Sequence, residues 1–191
     1  MRVCVIPARG GSVRIPRKNI RDFRGKPMLQ WAVEAAQASE LFDVVMVSTD
    51  DEEIKALAVS LRCQVHMRMP DDGVKGTQDV VVDVLRECEL WREHFAVCTI
   101  YPCSPFLVGK LLDRAYHHFM GSDVAHLVST YPKEMRDAGC FYWQSVDKLI
   151  SGSRAWQEPT IAFPLPAWRC IDINDEGDWR MAEAMFDTIN H

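Results

Sequence analysis

The amino-acid sequence predicts an α/β fold in which one mostly parallel sheet carries helices on both faces. Short apolar segments rich in β-branched residues alternate five times with segments of helical periodicity, and the connections between them are short. Apolar residues make up 48% and charged residues 26% of the 191 residues, which is ordinary for a globular protein. This length is typical of one domain, so we expect residues 1–191 to form a single domain.

The individual elements follow from the apolar pattern and from the residues that begin helices. Pro27 suits the first turn of a helix. Candidate caps of the other helices are Asp50 or Asp51, Thr77 and Asp175. The predicted strands are residues 2–8, 43–49, 63–67, 95–101, 123–130, 139–143 and 168–173. The predicted helices are residues 27–39, 51–62, 77–93, 107–120 and 177–189. Residues 152–167 are rich in proline and tryptophan, and we expect them to be mostly irregular.

Charge and cysteine content narrow the classes of function. The formal net charge is −5, so no overall basic field favours nucleic acid, and we expect no nucleic-acid partner. No run approaches the ~20 apolar residues that a membrane-spanning helix needs, so we expect no membrane association. The seven cysteines include no CxxC pair and lie mostly in apolar segments, which is typical of buried free thiols in a reducing compartment. Because the N-terminus does not resemble a signal peptide, the sequence predicts a cytoplasmic protein.

A basic loop follows the first predicted strand, at the place where open α/β sheets bind ligands. Seven basic residues stand here against one acid, Asp22, in an otherwise acidic chain. The basic residues are Arg9, Arg14, Arg17, Lys18, Arg21, Arg24 and Lys26. Gly10 and Gly11 let the backbone approach phosphate oxygens, whose charge arginine and lysine then neutralise. The loop has neither a GxxxxGK[ST] nor a GxGxxG pattern. It therefore predicts a phosphate site of another kind, with a solvated basic loop as the alternative.

Six segments, from the basic loop to the C-terminal region, point together to one family. They are IPARGGSVRIPRKNI, DFRGKPML, VVMVSTDDEEI, TIYPCSPFL, RDAGCFYW and IDINDEGDW. In this order they resemble the cytidylyltransferases that activate nonulosonic acids, namely the CMP-sialic acid synthetases and, more closely, the pseudaminic acid cytidylyltransferases. The resemblance implies a Rossmann-like fold of the nucleotide-diphospho-sugar transferase type. It also implies transfer of CMP from CTP to the anomeric hydroxyl of a nine-carbon acidic sugar, with release of pyrophosphate and with Mg²⁺ as cofactor.

The resemblance implies roles for individual residues. Those that match catalytic positions are Arg9, Lys18 and Asp172. The implied nucleotide-binding residues are Ala8, Arg9, Gly10, Gly11, Ser12, Arg14, Lys18, Asn19, Arg68 and Thr77, of which the last two fall near the cytosine-binding positions. The implied sugar-binding residues are Tyr101, Ser104, Arg136, Phe141 and Tyr142. For Phe141 and Tyr142, an ordinary place in the core is an open alternative.

The implied metal ligands are Asp172 and Asn174, which match an Asp-x-Asp pair that holds Mg²⁺ in the family. Alternate residues of a strand point to the same side, so two oxygens could meet one hard cation. Asn174 offers a neutral carbonyl oxygen where the family has a carboxylate. As an alternative, Asp172 could cap the last helix, although Asp175 is better placed to do so.

Three features depart from the family pattern. Val13 stands where the family usually has lysine, and Asn174 replaces an aspartate. The third departure is near residues 131–136, where the family has a sizeable excursion that carries the dimer contact and part of the sugar site, and this chain has almost none. We therefore expect a shortened member that is a monomer or that dimerises through another surface. Two other functions stay open: a nucleotidyltransferase with a smaller or different acceptor, and a nucleotide-binding module without turnover.

Overall fold

Strands and helices alternate along most of the chain. The computed structural model describes residues 1–70, 75–93, 95–157 and 159–190. The strands are β1 (Arg2–Pro7), β2 (Asp22–Phe23), β3 (Lys26–Pro27), β4 (Val44–Thr49), β5 (Gln64–Met67), β6 (Ala96–Ile100), β7 (His126–Thr130), β8 (Asp137–Ser145) and β9 (Thr160–Pro164). The helices are α1 (Met28–Ala38), α2 (Glu52–Ser60), α3 (Thr77–Glu87), α4 (Gly109–Met120), α5 (Val146–Ile150) and α6 (Glu176–Asn190). Among the described residues, no helix has the length and apolar character needed to cross a membrane.

The main sheet has seven strands in the order β5-β4-β1-β6-β8-β7-β9. The pairs β4–β5, β1–β4, β1–β6 and β7–β9 are parallel, whereas β8 runs antiparallel to both of its neighbours. The prediction of a mostly parallel sheet is therefore confirmed. β7 turns directly into β8 through residues 131–136, where the N–H of Tyr131 donates to the carbonyl of Arg136 at 2.9 Å.

Helices cover both faces of this sheet, as predicted. Side chains alternate along β1, so that Cys4 and Ile6 pack in the cluster that includes residues of α1, α2 and α4. Val3 and Val5 point the other way and pack with residues of α3 and α5. Because β1 is buried on both faces, its sequence is an almost continuous apolar run rather than an alternating one.

The predicted helix caps are partly confirmed. The Asp51 carboxylate accepts hydrogen bonds from two backbone N–H groups at the start of α2. Asp175 accepts two such bonds, at 2.7 and 3.0 Å, at the start of α6. The prediction that Thr77 caps α3 is wrong. Gly76 precedes the helix and its carbonyl accepts the first helical bond, so Thr77 is already helical. α3 also ends earlier than predicted, because Glu89 adopts a left-handed conformation (φ 54°).

The C-terminal region contains one wrong strand and one missed strand. Residues 168–173, predicted to be a strand, instead begin within a 3₁₀ turn at Ala167–Arg169 and continue without regular structure. Ile171 and Ile173 are covered by side chains near α6, so their apolar character reflects burial outside the sheet. The missed strand is β9, which forms the edge of the sheet next to β7 and lies inside the stretch predicted to be irregular.

α6 packs against the basic loop. The Trp179 ring lies edge-on to Phe23, with centroids 5.4 Å apart, and the Arg21 guanidinium lies over Trp179 at 4.4 Å. Ile15 is buried in the same cluster. The C-terminal helix therefore holds the outer side of the loop, while β1 fixes its beginning.

Candidate functional site

A cleft of about 450 Å³ opens where β1, β5 and β6 end. Parallel strands place their carboxyl ends at one edge of a sheet, so the segments that follow them meet there. The predicted site residues that line the cleft are Arg9, Ser12, Arg14, Lys18, Asn19, Arg68, Thr77, Tyr101, Asp172 and Asn174. The predicted residues outside its lining are Ala8, Gly10, Gly11, Ser104, Arg136, Phe141 and Tyr142. Most of the nucleotide set is thus gathered in one place, whereas the sugar set is not.

The seven cations of the basic loop divide into two groups. Four are held by acids elsewhere in the chain, in the pairs Arg17–Asp51, Arg21–Glu176, Arg24–Asp187 and Lys26–Glu34. The other three, Arg9, Arg14 and Lys18, line the cleft. The loop is therefore neither uniformly solvated nor uniformly directed at a ligand, because ion pairs select which cations face the cleft.

The loop backbone is less available to a ligand than the glycine-rich sequence suggests. The N–H of Ala8 donates to the carbonyl of Ser48 at 2.8 Å, and the N–H of Gly10 donates to Asp50 Oδ1 at 2.8 Å. Ser12 N–H donates to the Gly10 carbonyl at 3.0 Å. Each of these three amides thus has a hydrogen-bond partner within the chain. Within the described residues, the Gly11 amide has none.

Two hydrogen bonds join the basic loop to residues 172–174, of which Asp172 and Asn174 also line the cleft. Lys18 Nζ donates to the carbonyl of Ile173 at 2.7 Å, and Arg14 Nη2 donates to Asn174 Oδ1 at 2.8 Å. Both cations thus lie beside the segment that carries Asp172. Three cations and the Asp172 carboxylate therefore line the same cleft, which is the combination that a polyphosphate bound with a divalent cation needs.

Asn19 and Cys103 form part of the cleft wall. Asn19 is almost fully buried, and its amide donates to the carbonyl of Arg9 at 2.8 Å. The Cys103 thiol donates to Asn19 Oδ1 at 3.5 Å. Burial raises the pKa of Cys103 to about 11, although the nearby Lys18 acts in the opposite direction, so the thiol is protonated near neutral pH. All seven cysteines are unpaired, as predicted.

Asp172 is an exposed carboxylate in the cleft. It does not cap α6, since Asp175 does, so that alternative role is wrong. The left-handed backbone of Gly139 (φ 63°) lies close by, and a Cβ there would be 3.6 Å from Asp172 Cγ. Asp137 is also near: burial, with a smaller contribution from the charge of Asp172, raises the pKa of the Asp137 carboxyl.

The donor set around Asp172 fits a magnesium ion held partly by substrate. Magnesium is usually bound by one or two carboxylates together with waters and phosphate oxygens. Within residues 1–70, 75–93, 95–157 and 159–190, no three His, Cys, Asp or Glu side chains are grouped to hold a metal by themselves. The expected pairing of Asp172 with Asn174 on one side of a strand is not found, because residues 170–174 are not a strand. The Asn174 oxygen instead accepts a hydrogen bond from Arg14.

Of the predicted sugar-binding residues, only Tyr101 lines the cleft. Its ring meets Tyr142 edge-on at 5.8 Å, and the Tyr142 hydroxyl donates to the partly buried Asp137 carboxyl. Phe141 is fully buried in the core, which supports the structural alternative for this residue.

The other two lie away from the cleft in different surroundings. Ser104 is buried, and its hydroxyl donates to the carbonyl of Cys140 at 3.4 Å. Arg136 is exposed on the turn between β7 and β8, where its guanidinium lies 3.6 Å from the Tyr131 ring and pairs with Glu134 at 3.0 Å. Neither position supports contact with a ligand in the cleft.

A second recess, of about 390 Å³, adjoins the first and shares Thr77 and Tyr101 with it. The sequence did not identify its other polar residues, which are Gln78, Asp79, Arg154 and Gln157. Arg154 Nη2 donates to Asp79 Oδ1 at 2.8 Å. These residues come from α3 and from the irregular stretch before β9, so their proximity has no signal in the local sequence. Lys75, in the wall of the first cleft, was missed for the same reason.

Comparisons with known proteins point to one family. Residues 3–140 match the sequence profile of the family described as cytidylyltransferase. The pseudaminic acid cytidylyltransferase of Campylobacter jejuni is 28% identical over 228 aligned positions, which cover 99% of this chain and 97% of that protein. That alignment is longer than the 191 residues of this chain, so the relative contains residues that this chain lacks.

Two further relatives extend this result. N-acylneuraminate cytidylyltransferase A of Danio rerio is 40% identical, over 94% of this chain and 49% of that protein. Among solved structures, a CMP:2-keto-3-deoxy-manno-octonic acid synthetase in complex with CTP superimposes with a TM-score of 0.79. It is 16% identical, and the match covers 98% of this chain and 99% of the other. The last comparison concerns the fold, which is the predicted nucleotide-diphospho-sugar transferase type.

Proposed function

The chain belongs to the cytidylyltransferase family, and on that premise we propose that it transfers CMP from CTP to the anomeric hydroxyl of a nonulosonic acid. The observation that carries the proposal is the cleft at the sheet edge. Arg9, Arg14 and Lys18 line it together with the Asp172 carboxylate. A binding site for a neutral ligand would not need this combination of charges.

In the proposed reaction, the acceptor hydroxyl attacks the α-phosphorus of CTP in line with the bond that breaks. The hydroxyl oxygen forms a new P–O bond, and the bond from the α-phosphorus to the bridging oxygen breaks, so pyrophosphate leaves. The hydroxyl proton passes to water. Negative charge builds on the phosphoryl oxygens, so catalysis depends on positioning and on cations. Arg9, Arg14 and Lys18 supply these cations from the loop wall. Asp172 would hold Mg²⁺, with the Asn174 oxygen as a second candidate ligand. When bound, Mg²⁺ would neutralise charge on the triphosphate.

The cleft would hold both the nucleoside and the acceptor. Arg68 and Thr77 lie in its wall and are the candidates for contact with cytosine. Tyr101, like Thr77, lies where the two recesses adjoin, and it is the candidate for contact with an acceptor beside Asp172. Tyr142 would not contact the acceptor itself but would hold the Tyr101 ring in place by packing against it.

The test is release of pyrophosphate. The protein is incubated with CTP, Mg²⁺ and, in turn, sialic, pseudaminic and legionaminic acids and the eight-carbon acid 3-deoxy-manno-octulosonate. We expect turnover with at least one nine-carbon acid and loss of turnover when a chelator removes Mg²⁺. Thermal stabilisation by CTP, compared with ATP, GTP and UTP, identifies the nucleotide. If CTP binds but every acceptor is inert, the proposal is wrong.

A second candidate is a nucleotidyltransferase with a smaller acceptor. The observation that favours it is the direct turn from β7 to β8 through residues 131–136, which leaves little chain to enclose a large sugar. Turnover with the eight-carbon acid alone would support it. A third possibility, nucleotide binding without turnover, is motivated by Val13 and Asn174, and inertness of every acceptor would favour it.

Location and assembly also belong to the proposal. Seven free thiols are suited to a reducing compartment, so we infer that the protein acts in the cytoplasm. We infer a monomer, or a dimer formed through a surface other than the β7–β8 connection, because that connection is a short turn.

A further inference from the structure

Two adjacent acids at the end of β4 lie directly beneath the basic loop. Asp50 Oδ1 accepts the N–H of Gly10 at 2.8 Å. Asp51 forms a forked ion pair with the guanidinium of Arg17, in which both Nη atoms donate to its carboxylate. The Gly10 backbone rests on the Asp51 side chain so closely that an added Cβ would lie 2.8 Å from Asp51 Cβ. The proposed mechanism uses neither acid.

Asp51 is fixed in place independently of the loop. Its Oδ1 accepts the backbone N–H groups of Glu53 and Ile54, both at 3.0 Å, and these bonds hold the carboxylate to the first turn of α2. The side chain is only 18% exposed. The hydrogen bond from Arg17 holds the pKa of Asp51 below its ordinary value, so the carboxylate is ionised throughout the neutral range. Arg17 therefore meets a rigid, charged partner.

Cations both before and after Arg17 in the sequence line the cleft. Lys18 is the next residue, and Arg14 comes three residues earlier. Arg17 itself has a left-handed backbone (φ 56°) in the turn at residues 16–20. Anchoring the Arg17 side chain below the loop fixes this turn, and with it the direction in which Arg14 and Lys18 project.

We propose that Asp51 is a positioning residue of the nucleotide cleft, which acts through Arg17 to hold Arg14 and Lys18 toward the triphosphate. The inference rests on the proposed function, since it assumes that CTP binds in this cleft. It assigns Asp51 no contact with substrate. Its consequence is that loss of the ion pair weakens binding of CTP specifically, without weakening binding of the acceptor.

The test uses Asp51→Asn and Arg17→Gln in the full-length protein. Asparagine can still accept the N–H groups at the start of α2, so the first variant removes the ion pair and keeps the cap. We expect each variant to raise both the KM and the Kd for CTP by about tenfold. A 1 Å misplacement of a positioning group can cost up to about 10²-fold in rate, and here the two cations are loosened rather than removed. The KM for the acceptor should not change. The double variant should be no worse than either single variant, because both remove the same pair.

Matched controls separate this role from a general loss of stability. Glu53→Gln removes the other carboxylate near Arg17. The Glu53 side chain is 76% exposed, and its Oε2 lies 3.1 Å from Arg17 Nη2. Arg24→Gln removes an arginine of the same loop that has a similar backbone (φ 53°) and pairs with Asp187. Both controls should bind CTP as the wild type does. Arg17→Gln leaves the Asp51 cap intact. If Asp51→Asn fails to fold, the CTP affinity of Arg17→Gln alone therefore tests whether the ion pair positions the cleft cations.

The outcomes are distinguishable. If the wild type binds CTP and both ion-pair variants bind it equally well, the inference is wrong and the proposed function stands. The inference is also wrong if KM values for CTP and for the acceptor rise together. If the wild type itself does not bind CTP, the proposed function and this inference both fail.

Discussion

Individual residues of the basic loop have different roles that their sequence does not distinguish. Lys18 and Lys26 are the same residue type, eight positions apart. Lys18 lines the cleft and donates to the carbonyl of Ile173, whereas Lys26 pairs with Glu34 at 2.6 Å and lies over the Trp31 ring. The difference comes from partners distant in sequence, so it becomes visible only in the folded chain.

Replacing these two lysines should therefore have different effects on activity. Lys18→Met removes a cation from the triphosphate side of the cleft, and we expect kcat/KM for CTP to fall by about 10²-fold, as for loss of one preorganised donor. Lys26→Met breaks an ion pair of which both members are more than one-third exposed, so kcat/KM should change less than about twofold. Steady-state kinetics at saturating acceptor measures both. Equal losses in the two variants would contradict the division of the loop cations.

The cations that line the first cleft could be predicted from the sequence, whereas most polar residues of the second recess could not. Arg9, Arg14 and Lys18 lie within one short segment after a recognisable strand, so the residue types and their density indicate the site. The second recess combines Gln78 from α3 with Arg154 from a loop. No local pattern links two such residues, because their proximity depends on how β7, β8 and β9 pair.

At the scale of elements, the loop and the turn between β4 and α2 form one packed unit. Gly10 has no room for a side chain, since a Cβ would lie 2.8 Å from Asp51 Cβ and 2.9 Å from Asp51 Cγ. Gly11, the next residue, has no atom within 4 Å of the corresponding position. The two neighbouring glycines therefore offer a matched comparison.

Gly10→Ala should destabilise the protein, whereas Gly11→Ala should not. Overpacking of this kind costs about 1–3 kcal/mol. For a protein of this length we expect a fall in Tm of several degrees for Gly10→Ala and little change for Gly11→Ala. Thermal unfolding followed by circular dichroism measures both. A Tm for Gly10→Ala equal to that of the wild type would show that the loop is not packed against Asp51 as described.

The elements that the sequence predicted well are those with local causes. β1, β4 and β6 are short apolar runs buried on both faces, and α2 begins at an aspartate cap. The segment 168–173 was predicted as a strand because it is equally apolar, but Ile173 is buried, and Ile171 partly buried, against α6 and the basic loop. A run of apolar residues indicates that a segment is buried. Whether the buried segment is a strand depends on hydrogen bonding to a neighbouring strand, which the local sequence does not show.

At the scale of the whole molecule, the charge network makes stability depend on pH in a definite direction. The pKa of Asp51 in the folded state is held below its ordinary value of 3.8, mainly by the hydrogen bond from Arg17. A depressed carboxyl pKa stabilises the folded state at pH values above the ordinary value. This contribution is lost as the pH falls through the lowered pKa, because the folded protein must then take up the proton.

The stability difference between the wild type and Asp51→Asn should therefore be constant at neutral pH and should shrink in acid. We expect a constant difference in Tm from about pH 8 to about pH 5, and a decreasing one below about pH 4. Thermal unfolding in buffers of equal ionic strength measures it. A difference that grows on acidification would mean that the ion pair is not the source of the stabilisation.

The shape of the sheet leads to a prediction about assembly. β7 continues into β8 through a turn that closes with a hydrogen bond between Tyr131 and Arg136, and Met135 in this turn is 60% exposed. A turn of six residues offers much less surface to a partner than the ~800 Å² that each subunit buries in a stable interface. In sedimentation velocity at micromolar concentration we expect a monomer of 21.8 kDa, or a dimer that does not use this turn. If a dimer is found, Met135→Glu locates its contact: an unchanged dimer places the interface elsewhere, whereas dissociation would show that this short turn suffices after all.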